Sequence, residues 1–185
     1  WGEGEDAAGI RFDWSKTHLT DDLLSELIRA ESEGDRLDLD ELRMLVAGFL
    51  MAGTDTTRNQ LAASVQVLCE HPDQWQKLRE HPELAMQAVE ETMRHSPAAC
   101  IAPRAAVEDV EFGGYLFPAG TFVLANTFAA NRDPVIYDDA DRFDISRKDV
   151  PAIMTFGGGA HYCLGANLAR RELAEALVTV GHLRF

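Results

Sequence analysis

Cys163 leaves a glycine-rich stretch, Phe156-Gly157-Gly158-Gly159-Ala160-His161-Tyr162-Cys163-Leu164-Gly165, and enters a run of leucines at helical spacing. A cysteine at the exit of a tight loop and the mouth of a helix lies among backbone N–H groups and the positive end of the helix dipole. Both favour a thiolate over a thiol. Such a sulfur can ligate a metal or attack an electrophile. The same position is also compatible with a free cysteine behaving as a small hydrophobe, which is how Cys69 and Cys100 read.

A second constellation is Ala52-Gly53-Thr54-Asp55-Thr56-Thr57, in the middle of a long apolar-periodic stretch. Glycine costs a helix interior about 1 kcal/mol against alanine, and threonine hydroxyls compete for backbone carbonyls. The hexapeptide is therefore expected to bend or loosen the helix and open a groove. An Asp beside a Thr in an apolar crossing helix shifts the balance toward a functional role, because buried carboxylates need a reason. A helix that merely tolerates a glycine is the other reading. Glu91 and Arg94, three residues apart, share one helix face and can pair, although most such pairs are solvated bridges worth under about 1 kcal/mol.

The elements that must position these residues are mostly helical. Thr20 is expected to cap a first helix with Leu23, Leu24, Leu27 and Ile28 as its buried stripe and Gly34 as its stop. Asp38 and Glu41 form a capping box that opens a helix running to Glu70, about 48 Å at roughly 1.5 Å per residue, long enough to cross a domain. Pro72 ends it. Helices over Pro72–Glu80 and Pro82–His95 follow, each with proline in its first turn. Val110–Phe112 and Tyr115–Phe117 flank Gly113-Gly114 as a hairpin, and Thr121–Ala125 reads as a strand. Residues 131–151 read as an ordered meander. Leu164, Leu168, Leu173, Leu177 and Val180 mark a last helix of about 18 residues. Gly181–Phe185 reads as the start of a strand. The fold class is mainly α, within an α+β architecture.

The chain of 185 residues is 46% hydrophobic and 26% charged, ordinary for a globular protein and unlike a disordered one. A net charge of −14 argues against nucleic acid and anionic membrane surfaces as partners. The longest apolar run, Met44 to Gly53, falls short of the roughly 20 residues of a membrane span. Three dispersed cysteines suggest neither a disulfide framework nor a zinc knuckle, and a reducing cytosol fits them. With Trp1 at its start and an abrupt end, the chain is expected to be a single partial domain over residues 1–185, with both ends missing.

Taken with Glu91-Thr92-Met93-Arg94, Asn131-Arg132-Asp133-Pro134 and Asp141-Arg142-Phe143, the hexapeptide and the cysteine loop occur in a distinctive order. The chain resembles the carboxy-terminal half of the cytochrome P-450 superfamily of haem-thiolate monooxygenases, in its soluble bacterial form. Gly158 is the variable position of the family's loop, and Ala106-Val107 stands where an Ala-Thr pair is common.

The resemblance implies haem b with Cys163 as its axial thiolate and Phe156 packed beside it. Gly157 and Gly165 belong to the cofactor loop. His161 and Arg104 are placed to pair with the propionates. Ala52, Gly53 and Thr56 would border the distal face, with Asp55 relaying protons and Thr56 delivering them toward bound O2. Glu91, Arg94 and Arg142 would form a buried charged triad with a structural role. Gly48, Met51, Ala52, Cys100, Ile101 and Ala102 would line an apolar pocket floor. The implied activity inserts one atom of O2 into a hydrophobic small molecule in the cytoplasm, with electrons from NAD(P)H through ferredoxin reductase and ferredoxin. Arg170 and Arg171 would offer basic contacts to the ferredoxin. Peroxide-driven oxidation, a non-catalytic haem sensor and a haem-poor fragment are the alternatives.

Overall fold

The capping and proline signals locate most helix ends correctly in the computed structural model, which describes residues 4–5, 11–12, 19–32, 37–148 and 151–181. Gly34 and residues 182–185, where a helix stop and a strand are expected, lie outside the described residues. The chain divides into two compact units, residues 1–52 and 53–185.

The first unit contains the short antiparallel pair β1 (Gly4–Glu5) and β2 (Arg11–Phe12), helix α1 (Leu23–Ser32) and the opening of α2 (Leu39–Glu70). Asp22 rather than Thr20 caps α1. Its Oδ1 accepts the Ser25 amide at 2.7 Å, while the Thr20 hydroxyl donates to its other oxygen. A carboxylate accepts more strongly at a helix N-terminus than a hydroxyl does. The expected apolar stripe narrows, since Ile28 is buried but Leu23 and Leu24 are exposed. The capping box of α2 is reciprocal. Glu41 N–H donates to Asp38 Oδ1 at 2.8 Å, and Asp38 N–H donates to Glu41 Oε2 at 2.9 Å.

Helix α2 runs for 32 residues without interruption, through the hexapeptide expected to loosen it. One glycine costs only about 1 kcal/mol, which a long helix with no proline absorbs.

In the second unit α3 (Pro72–Glu80) is followed by a 3-10 turn at Pro82–Leu84 and by α4 (Ala85–His95), so the helix expected from Pro82 begins one turn late. Strand β3 (Ile101–Ala105), not foreseen, pairs antiparallel with β6 (Phe122–Asn126), Arg104 lying opposite Val123. Pro103 is tolerated because β3 has a single neighbour. The hairpin of β4 (Val110–Phe112) and β5 (Tyr115–Phe117) forms as expected, with Gly113 and Gly114 at φ 60° and 81°. A short helix, α5 (Thr127–Ala130), opens the meander, and α6 (Ala166–Gly181) closes the described chain.

The core of this unit gathers Val67 and Leu68 of α2, Leu78 of α3, Ala88, Val89 and Met93 of α4, Phe143 and Ile145 of the meander, and Leu173 and Leu177 of α6. No described helix is long and apolar enough to cross a membrane.

A charged network ties α4 to the meander. Arg94 is fully buried and its guanidinium forms a fork onto Glu91, Nε to Oε2 at 2.7 Å and Nη2 to Oε1 at 2.9 Å. It also donates to the carbonyls of Asn131 at 3.1 Å, Ala140 at 2.7 Å and Arg142 at 3.0 Å. The expected third member of the triad is corrected here. The Arg142 side chain is 62% exposed and pairs with Asp144, so this residue contributes only its carbonyl. Arg147, 15% exposed, brings its Nε within 3.5 Å of Glu91 Oε2 and donates to the carbonyls of Asp139 and Arg142.

Removing one partner of a buried pair strands the other charge. Glu91→Ala is therefore expected to destabilise the whole protein by about 3–5 kcal/mol. Arg142→Ala keeps the carbonyl and is expected to cost under about 1 kcal/mol. Arg147→Ala should fall between them, and urea unfolding of the three variants reads the order.

Candidate functional site

The cysteine loop is built from two 3-10 turns, Met154–Phe156 and Gly159–His161, joined by glycines. Gly157 has φ 73° and ψ −156°, a conformation open to glycine, and a Cβ there would also lie 3.6 Å from the His161 carbonyl oxygen. Gly159 is likewise left-handed at φ 65°. The loop closes when the Cys163 amide donates to the Phe156 carbonyl at 3.0 Å. The Cys163 carbonyl then accepts the Ala166 amide at 3.3 Å, where α6 begins. The thiol is exposed and in no disulfide. A Cβ on Gly165 would stand 4.0 Å from the sulfur, so the glycine keeps that side of it open.

Two residues moor the start of the loop to the network behind it. Asn131, fully buried, accepts the Met154 amide at 2.7 Å and donates through Nδ2 to Thr155 Oγ1 at 2.8 Å. The Thr155 hydroxyl in turn donates to the Met93 carbonyl of α4 at 3.0 Å. Asn131 and Thr155 were not among the expected site residues. The Asn-Arg-Asp-Pro motif signalled the first, and nothing in the sequence signalled the second.

The remaining expected residues fall in several places. Phe156, Gly157, His161, Cys163 and Gly165 share the one loop. Arg104 lies on β3, exposed, its Nη1 donating to the Pro103 carbonyl at 2.7 Å. Cys100 and Ile101 are exposed at the start of β3 and Ala102 is half-buried. The Cys100 carbonyl accepts the Thr127 amide at 3.0 Å, and Thr127 Oγ1 donates to the Ala99 carbonyl at 3.1 Å. Gln60, buried, fixes the approach to this strand by accepting the Ala98 amide at 2.8 Å and donating to the Ser96 carbonyl at 3.1 Å. Gly48, Met51 and Ala52 lie on exposed turns of α2 within the first unit.

Asp55, Thr56 and Gly53 lie on α2 in the second unit, all exposed. Asp55 is not the buried carboxylate expected of an apolar helix. Its side chain is 67% exposed and its Oδ1 accepts from Arg58 Nη2 at 2.6 Å, one helical turn on.

The charges behind the loop are set by burial and by pairing. Burial pushes the Tyr137 hydroxyl up from its ordinary value, against the pull of the Arg94 guanidinium 5.4 Å from its ring. Burial also works to raise Asp144. The Ser146 hydroxyl and amide, with Lys77 and Arg142, outweigh it and hold that carboxyl below its usual range.

Among the described residues no three His, Cys, Asp or Glu side chains group to hold a metal ion. Cys163 can supply one ligand, so this donor set fits a metal that arrives with its other ligands, as in a macrocycle. Tyr162, Leu164 and Leu168, all exposed around the sulfur in sequence, suit an apolar face.

The family model described as Cytochrome P450 matches residues 10–180. A luteothin monooxygenase of Streptomyces thioluteus is 49% identical over 166 residues, which is 89% of this chain and 41% of that protein. A nocardicin C N-oxygenase of Nocardia uniformis subsp. tsuyamanensis is 42% identical over 178 residues, 95% of this chain and 44% of that one. The crystal structure of CalO2 superposes with a TM-score of 0.84 at 38% identity, over 89% of this chain and 41% of that one. The chain thus spans about two fifths of the length of the curated relatives it matches.

The loop geometry separates its glycines. Gly157→Ala forces a side chain into a left-handed backbone and is expected to destabilise the whole protein by about 1–3 kcal/mol. Gly158 is extended, at φ −161°, with nothing within 4 Å of an added Cβ. Gly158→Ala is expected to be near neutral, and thermal unfolding of the two variants distinguishes them.

Proposed function

The chain belongs to the cytochrome P450 family, and on that premise we propose that the whole protein is a haem-thiolate monooxygenase that inserts one atom of O2 into a hydrophobic small molecule. The observation that carries this reading is the exposed Cys163 thiol at the mouth of α6, on a residue whose backbone amide donates to the Phe156 carbonyl. The relatives' names, a luteothin monooxygenase and a nocardicin C N-oxygenase, support oxygenation of a small organic substrate.

In this reading Cys163 Sγ would ligate the iron of haem b, Phe156 would shield the sulfur, and Arg104 and His161 would pair with the propionates. When bound, haem supplies the activation of O2, which thiolate ligation favours by donating electron density toward O–O cleavage. The protein's own further task is to move protons. The Asp55 carboxylate, steadied by Arg58, takes protons from water and passes them toward Thr56, whose Oγ1 donates inward. Gly53 and Ala52 keep that stretch of α2 free of bulk. Cys100, Ile101 and Ala102 at the start of β3 supply small or apolar surface for a hydrophobic substrate.

Electrons come from NAD(P)H through a reductase and a ferredoxin. Arg171, exposed on α6, is a basic contact for an acidic partner, whereas Arg170 is engaged internally with Glu90. Three cysteines, all free, suit a reducing cytoplasm.

Thr56→Ala tests the proton path. With substrate, ferredoxin and reductase, the whole protein carrying this substitution is expected to form roughly tenfold less product per NAD(P)H consumed. Hydrogen peroxide should rise to match. Unchanged coupling without extra peroxide would remove Thr56 from the mechanism and with it this account of oxygen activation.

A further inference from the structure

Arg170 stands on the second turn of α6 with its side chain 18% exposed, and its guanidinium touches three residues at once. Nε donates to Glu90 Oε1 of α4, and Nη1 donates to the Tyr162 hydroxyl at 3.0 Å. Cζ lies 4.4 Å from the centre of the Phe156 ring. The two aromatic rings are 6.3 Å apart.

These aromatics mark the two ends of the cysteine loop. Phe156 carries the carbonyl that accepts the Cys163 amide, and Tyr162 precedes Cys163 in the chain. One planar cation therefore grips the loop at its entrance and at its exit and ties both to α4. Arginine suits this position because its flat face can cover a ring while its edges donate to a phenol and a carboxylate. A lysine ammonium can pair with Glu90 but cannot make the three contacts together.

We propose that Arg170 is a positioning residue for the Cys163 sulfur, its guanidinium clamping Phe156 and Tyr162 against Glu90 so that the loop presents the sulfur at one fixed reach. The proposal rests on the reading of Cys163 as the haem ligand. Arg170 acts through the loop and not on the reacting atoms. Loosening the clamp frees the loop to move the sulfur away from its ligand position.

The test compares the whole, haem-loaded protein with Arg170→Lys, Arg170→Leu and Tyr162→Phe. Hydrogen exchange of the Cys163 amide, measured also on the haem-free protein, reports the loop directly. The lifetime of the red-shifted Soret band of the reduced carbon-monoxide complex reports the sulfur, and the melting temperature reports simple stability. Arg170→Leu and Arg170→Lys are expected to speed both amide exchange and loss of the band by roughly fivefold or more. Tyr162→Phe should do so by less.

A lower melting temperature in Arg170→Leu with unchanged exchange and band lifetime would overturn the proposal, since Arg170 would then only join α4 to α6. Should Arg170→Leu fail to fold, Arg170→Lys and Tyr162→Phe decide by the same two readouts. A wild-type protein without the red-shifted band removes the haem-ligand reading and the proposal together. A wild-type band with variants that match it removes the proposal alone.

Discussion

All five N–H groups of Arg94 are satisfied inside the protein, two on the Glu91 carboxylate and three on backbone carbonyls. A guanidinium with no access to water is tolerable only when every donor is met and a counter-charge is in contact. That requirement places three points of an irregular segment, Asn131, Ala140 and Arg142, against α4. A meander without periodic hydrogen bonds of its own acquires a single course because one buried cation needs its carbonyls. Arg147 repeats the device from the far side, sharing the Arg142 carbonyl and the Glu91 carboxylate.

The constraint reaches the cysteine through short polar links. Asn131 gives its carbonyl to Arg94 and its side chain to Met154 and Thr155, and two residues beyond Met154 the Phe156 carbonyl holds the Cys163 amide. The sulfur is thus positioned from behind by a network that never touches it. Loop glycines supply the left-handed turns that such a short path needs, and α6, packed along α4, anchors its exit. The expected apolar floor is treated similarly, with Gln60 and Thr127 fixing the segment that leads into β3.

Where the chain carries a local signal, the sequence was legible. The bounds of α2 follow from a capping box and from Pro72, and the β4–β5 hairpin from its glycine pair. The Glu91–Arg94 pairing follows from helical spacing, but its depth of burial does not, because an exposed pair has the same spacing. The resemblance points to Arg142, yet it is Arg147 that turns inward, and a meander with no period leaves that choice to tertiary contact. β3 was hidden by Pro103, a residue that reads against strands and is harmless at an edge. The apolar character of its helix suggests a buried Asp55, but Arg58 one turn on gives it a surface partner. Arg170 read as a surface cation because Glu90 is distant in sequence and adjacent in space.

We propose that this scaffold holds Cys163 as the protein's ligand to a haem iron. The measurement that tests it most directly is the reduced carbon-monoxide difference spectrum of the whole protein beside its Cys163→Ala variant, at matched haem content. A red-shifted Soret band in the wild type that is absent from the variant is the predicted result. The same band in both proteins, or in neither, would contradict it.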